Sequence, residues 1–111
     1  VARRTGGIVR GSDLATFPAL LRRLTPDQLA PFLDQVARPL REYDGEHGTR
    51  LVETLRTFLE SGGSVGAASR ALFVHPNTLR HRLSRIEALT GRNPLRFEDR
   101  VALAIAIWAE D

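Results

Sequence analysis

The chain has 111 residues, 42% of them hydrophobic and 26% charged, enough to bury one modest core and too few for two full domains. It contains no cysteine, so disulfides and thiolate metal sites are excluded, and its three histidines (His47, His75 and His81) share no helical face, so no metal or cofactor is expected. The net charge is only +3, yet residues 64–92 hold five arginines against one glutamate, a net +4, and the first ten residues add three arginines, so the remainder is acidic.

All sixteen basic residues are arginine, a bias that genomic base composition explains as readily as function. No apolar run approaches the roughly 20 residues of a membrane-spanning helix. The N-terminal VARRTGGIVR lacks the apolar centre of a signal peptide, so a cytoplasmic location away from membranes is expected.

In chain order, residues 6–10 (GGIVR) read as a short strand without a visible partner, which suggests a start inside a preceding domain. Leu14, Phe17, Leu20, Leu21 and Leu24 then recur at helical spacing. Thr25-Pro26-Asp27-Gln28 predicts a helix start: a threonine cap, proline at the first position, an acid in the first turn and a glutamine completing a capping box. Leu29, Phe32, Leu33 and Val36 supply its apolar face, and Pro31 is expected to distort it. Pro39 opens a short segment, PLREYD, that a loop GEHG closes, with Tyr43, Asp44 and His47 assigned to packing and turn chemistry. Thr49 is expected to cap the next helix, whose stripe is Leu51, Val52, Leu55, Phe58 and Leu59, and Ser61-Gly62-Gly63 stops it.

The stretch from Ser64 to Thr90 is the most informative. Ser64 caps a short helix from Val65 to Leu72, small enough in its side chains for close packing; Phe73-Val74 turns the chain, and His75-Pro76 starts a second helix. On a wheel of 100° per residue, Leu79, Leu83, Ile86 and Leu89 form the core face of that second helix. Asn77, His81, Ser84 and Arg85 lie opposite, flanked by Thr78, Arg80 and Arg82. Amide, hydroxyl, imidazole and guanidinium groups gathered on one face are the types that hydrogen-bond base edges and phosphates, and the pattern is that of a helix-turn-helix. The plainer alternative is a solvated basic face on an ordinary globular protein. After Gly91 and Asn93-Pro94 a last helix is expected over Glu98 to Ala109, apolar nearly all round. Either the other helices cover it or a second copy does.

Residues 49–109 resemble the C-terminal helix-turn-helix domain of the PucR-type bacterial transcription regulators, a family that includes the sugar-diacid regulators. The resemblance is carried by L-x-E-T-L at Leu51 to Leu55, the aliphatic-His-x-Asn-Thr-Leu run at Val74 to Leu79, R-L-x-R-I-E at Arg82 to Glu87, L-T-G at Leu89 to Gly91 and E-D-R at Glu98 to Arg100. Residues 36–48 are similar to the segment preceding that domain, and GIVRGSDL at 7–14 to the end of the family's cyclase-like domain. The resemblance implies an all-α compact helical domain containing a helix-turn-helix and preceded by additional short helices. It divides the chain into 1–48, the end of a preceding domain plus a helical linker, and 49–111, the DNA-binding domain. The helix from about His75 to Leu89 would enter the major groove. Asn77, Thr78, Arg80 and His81 would contact bases or phosphates, Arg82 and Arg85 would serve phosphates, and His75 belongs to the same candidate set. Pro76 stands where the family often has a basic residue, His81 where it has an aromatic, and Ser69 where it has alanine.

The function expected is therefore sequence-specific binding of double-stranded DNA by a non-enzymatic transcription regulator. The chain would act as a homodimer on two half-sites, with any effector bound by upstream domains absent from it. The alternative is a protein-interaction or dimerisation module that uses the apolar C-terminal helix. Catalysis has little to stand on: Asp44, Glu46 and His47 are the one tight polar cluster, and no nucleophile or metal pattern accompanies them.

Overall fold

The computed structural model describes residues 22–110, and every described element is helical. The strand over 6–10, the GIVRGSDL segment and most of the helix over Leu14 to Leu24 lie outside the described residues; Arg22 to Leu24 form a turn. In chain order the elements are α1 (Pro26–Phe32), a π-helical segment (Leu33–Ala37), α2 (Arg38–His47), α3 (Leu51–Glu60), α4 (Val65–Leu72), α5 (Pro76–Thr90) and α6 (Phe97–Glu110).

The capping box at the start of α1 is formed as the local chemistry demands. Thr25 Oγ1 accepts from Gln28 N at 3.2 Å while Gln28 Oε1 accepts from Thr25 N at 2.8 Å. Pro31 does not break the helix. The distortion is instead a widening over the next five residues, where Arg38 N–H bonds Leu33 O, five positions back. Pro39 accounts for it, because an α-helical path would drive its ring into the carbonyl of Gln35 and leave that carbonyl without a donor. The expected short segment with a GEHG loop is therefore corrected: α1, the π segment and α2 run on continuously, residues 45–47 are helical, and only Gly48, at φ 66°, leaves the helix.

The cap of α3 is a second correction. Thr49 does not cap it; Asp44, from the preceding helix, accepts the N–H groups of Leu51 at 2.8 Å and Val52 at 3.0 Å, and Thr49 donates its hydroxyl to the same carboxylate. Helix α3 ends in the Gly62-Gly63 turn, where both glycines have positive φ and Gly63 N–H bonds Phe58 O at 3.0 Å.

One core joins all these helices. Val36 and Leu40 come from the first long helix, Leu55, Phe58 and Leu59 from α3, Ala68 from α4, Leu79, Leu83 and Ile86 from α5, and Leu103, Ala106 and Ile107 from α6. Helix α6 is packed on more than one side, as its composition requires, against α1, the π segment and α3. The large hydrophobic side chains exposed among the described residues are Leu24, Phe73 and Leu95, none of them on α6; on that helix Ala102, Leu103, Ala104, Ala106 and Ile107 are buried, and Phe97, Val101, Ile105 and Trp108 are half-buried. Arg41 on α2 closes its far end through a bidentate pair with Glu110, at 2.7 and 2.8 Å.

Candidate nucleic-acid interface

Helices α3, α4 and α5 pack on one another and set the exposed face of α5 outward. Ser64 caps α4 by accepting from Ala67 N at 3.1 Å. Ala68 and Ser69 are its buried residues, and the hydroxyl that Ser69 adds is satisfied by Gly66 O at 2.9 Å. This is how a serine stands in a place suited to alanine. The turn is made by Phe73, whose φ of 58° ends α4 in the left-handed conformation, and by Val74 N–H bonding Ser69 O at 3.0 Å.

Helix α5 starts on His75 in an extended conformation, with Pro76 at the first helical position. Because Pro76 has no N–H, the first donor that needs a partner is Asn77 N, and His75 Nδ1 accepts from it at 3.0 Å. Leu79, Leu83 and Ile86 are buried, with Leu89 half-buried beside them, as the wheel predicts.

The candidate residues fall into two groups. His75, Asn77, Thr78, Arg80 and His81 are exposed at the start of the helix, where Arg80 Nη1 donates to Asn77 Oδ1 at 3.2 Å. Arg82 and Arg85 lie along the flank that faces α2 and α3. Arg82 is half-buried and donates to Thr54 Oγ1 at 3.2 Å, while the Arg85 guanidinium sits 5.8 Å from the centre of the Tyr43 ring. Thr54 is fully buried and spends its own proton on Arg50 O at 2.8 Å, which leaves its oxygen to accept from Arg82. Between this flank and the end of α2 runs an open groove of about 420 Å³, lined by Tyr43, Thr49 and Leu51 on one side and by Asn77, Thr78, His81, Arg82 and Arg85 on the other.

Tyr43 is the residue that sequence reasoning missed as part of this face. It packs against the core, as the sequence leads one to expect, but it also stacks on His47 at 4.0 Å and carries Arg85. No local signal announces a contact between residues 42 positions apart. The polar cluster of Asp44, Glu46 and His47 is dispersed by the fold: Asp44 faces the start of α3, and His47 Nδ1 lies 3.1 Å from Tyr43 O. None of the helices among the described residues is long and apolar enough to cross a membrane.

The family model of the PucR C-terminal helix-turn-helix domain matches residues 51–109, which span α3 to α6. The chain belongs to this family. The PucR-type domain is a DNA-binding module of transcription regulation, and its helix-turn-helix here is α4, the Phe73 turn and α5. An uncharacterized protein of Mycobacterium tuberculosis is 39% identical over 106 residues, covering 88% of this chain and 25% of the relative. The carbohydrate diacid regulator of Escherichia coli is 37% identical over 95 residues, covering 85% and 24%. The DNA-binding transcriptional activator AdeR of Bacillus subtilis is 44% identical over 50 residues, covering 45% and 12%. The chain thus spans about a quarter or less of the length of these relatives.

Proposed function

We propose that the chain binds duplex DNA sequence-specifically through the first half of α5, lying in the major groove. The observation that carries this reading is the exposed face of α5 itself: Asn77, Thr78, Arg80 and His81 stand clear of the core, and no carboxylate occurs on the helix before Glu87. Asn77 and Arg80 have the donor and acceptor sets that pair with adenine and guanine edges, Thr78 and His81 complete the reading face, and Arg82 and Arg85 serve phosphates. His75 contributes by holding the backbone N–H of Asn77. Residues 49–111 act as the DNA-binding unit, and residues 1–48 are the end of an upstream domain together with the helical linker that is built onto it.

The same reading makes the chain part of a larger cytoplasmic, non-enzymatic regulator that binds as a homodimer, its effector taken up by upstream domains. A single module of this size buries roughly 600–1,000 Å² on DNA, at the low end for selective binding, and a second copy one helical turn away doubles it. The alternative of an interaction module built on α6 has less to support it, because no large hydrophobic side chain of that helix is fully exposed among the described residues.

Selection of bound sequences from random duplex DNA tests the proposal. Enrichment of a two-fold symmetric site is expected, and Arg80→Ala should weaken binding to it. If the chain enriches no sequence and shows no salt-dependent retention on duplex DNA at low salt, the reading falls.

A further inference from the structure

We infer that the DNA footprint extends beyond the helix-turn-helix onto the end of α2, where the groove between α2 and α5 seats one phosphodiester strand and Tyr43 positions Arg85 across it. The inference rests on the DNA reading above and adds to it a wall drawn from outside the residues that match the family model. Its first support is charge. Arg82 and Arg85 both face the groove, and among the described residues no carboxylate lines it. An adjoining hollow of about 320 Å³, bordered by Thr49, Arg50 and Arg82 among others, has no carboxylate in its lining either. Asp44 stands close by in sequence, but its oxygens accept from Thr49 Oγ1, Leu51 N and Val52 N, so its charge is turned to the start of α3.

The second support is the pattern of the lining. A nucleic-acid strand alternates an anionic phosphate with the largely apolar face of its sugar. The groove offers both kinds of surface, the guanidinium groups of Arg82 and Arg85 and the Thr49 and Thr78 hydroxyls together with the carbon surface of Tyr43 and Leu51. The third is fixation. Arg82 is anchored by Thr54 and keeps further donors in its five-donor fork for an anion, while Arg85 is held over the Tyr43 ring, which itself stacks on His47. A long arginine side chain without such a seat loses rotamer freedom on binding; one already seated loses less. Tyr43 is therefore a positioning residue, and a helix that leads back toward the upstream chain becomes part of the DNA-contact surface.

The test is a titration of the full chain onto random-sequence duplex DNA across a salt series. Arg85→Gln should lower the slope of log K against log salt by about 0.9, the value of one phosphate contact. Tyr43→Leu, which keeps apolar bulk and removes the ring, should lower it by the same amount; Tyr43→Phe should restore it, and the double variant Tyr43→Leu with Arg85→Gln should lose no more than Arg85→Gln alone. An unchanged slope for Arg85→Gln, with an unchanged circular dichroism spectrum, overturns the groove as a phosphate seat. An unchanged slope for a folded Tyr43→Leu variant overturns the role of Tyr43. Arg85 is exposed, so its variant decides the question even where Tyr43→Leu disturbs folding. If Arg80→Ala weakens binding while Arg85→Gln does not, the groove falls and the DNA reading stands; if the unaltered chain shows no salt-dependent binding, both fall.

Discussion

Asp44 Oδ1 accepts the backbone N–H of Leu51 at 2.8 Å from across the Gly48 turn, so the cap of α3 belongs to α2. Ordinarily the capping residue is the one just before the helix; here Arg50 occupies that place without a side-chain cap bond. The arrangement locks the end of α2 to the start of α3, and through Thr54 on α3 and Tyr43 on α2 it fixes the two supports on which Arg82 and Arg85 rest.

Replacing the carboxylate should therefore cost more than a surface change. Asp44→Ala is expected to lower stability by about 1–2 kcal/mol, the upper range for loss of a helix cap, because two backbone donors and the Thr49 hydroxyl lose their acceptor together. Asp44→Asn keeps one acceptor oxygen and should lose less. Urea unfolding followed by circular dichroism measures both; an Asp44→Ala midpoint equal to that of the unaltered chain would show that the cap contributes nothing.

Phe73 is the one non-glycine residue with positive φ among the described residues, at 58°, and the residue is 93% exposed. A bulky side chain in that conformation is strained, and here no burial offsets the strain. Phe73→Gly is expected to raise stability by about 0.5–1 kcal/mol, since glycine adopts the left-handed region without steric cost. A fall in the urea midpoint would mean that the added freedom of the unfolded chain outweighs the relief.

Gly63 is constrained twice. Its φ is +80°, and a Cβ built there would stand 2.9 Å from the Arg100 guanidinium, which is itself held by Pro94 O at 3.2 Å. Gly63→Ala should cost about 1–3 kcal/mol, from backbone strain and from displacing Arg100. Coupling identifies the second part: in the background of Arg100→Ala the same substitution should cost measurably less, and strictly additive losses would remove Arg100 from the explanation.

Wherever the governing chemistry is local, the chain announces its own structure. Thr25 with Gln28, Ser64 with Ala67 and Gly91 at the end of α5 do what their types and spacings dictate, and the Leu79, Leu83 and Ile86 stripe is buried as the wheel requires. The E-T-L and R-L-x-R-I-E motifs even contain a contact, Thr54 with Arg82, that no periodicity discloses. What stayed hidden depends on residues far apart or on competition between two local signals. Thr49 looks like a cap until Asp44 arrives from the previous helix, and Pro39 looks like the start of a separate segment until a π-helical stretch carries the helix through it. The groove beside α5 belongs to the same class, because one of its walls is set by the packing of α2 and not by α5.

His75 lies beside the proposed reading face, and its bond to Asn77 N separates two ways in which it could matter. Because Pro76 offers no donor, the imidazole serves the first N–H that α5 presents, and Nδ1 must carry a lone pair to do so. Serine is a stronger helix cap than histidine and reaches the same donors, whereas alanine reaches none. His75→Ala is expected to lower stability by about 0.5–1 kcal/mol, and His75→Ser to restore it fully. If the residue acts through the cap, DNA affinity should follow stability, falling with alanine and returning with serine. A serine variant of full stability that still bound the selected DNA poorly would show instead that the ring itself meets the nucleic acid, and would move His75 from the support of Asn77 into the contact surface.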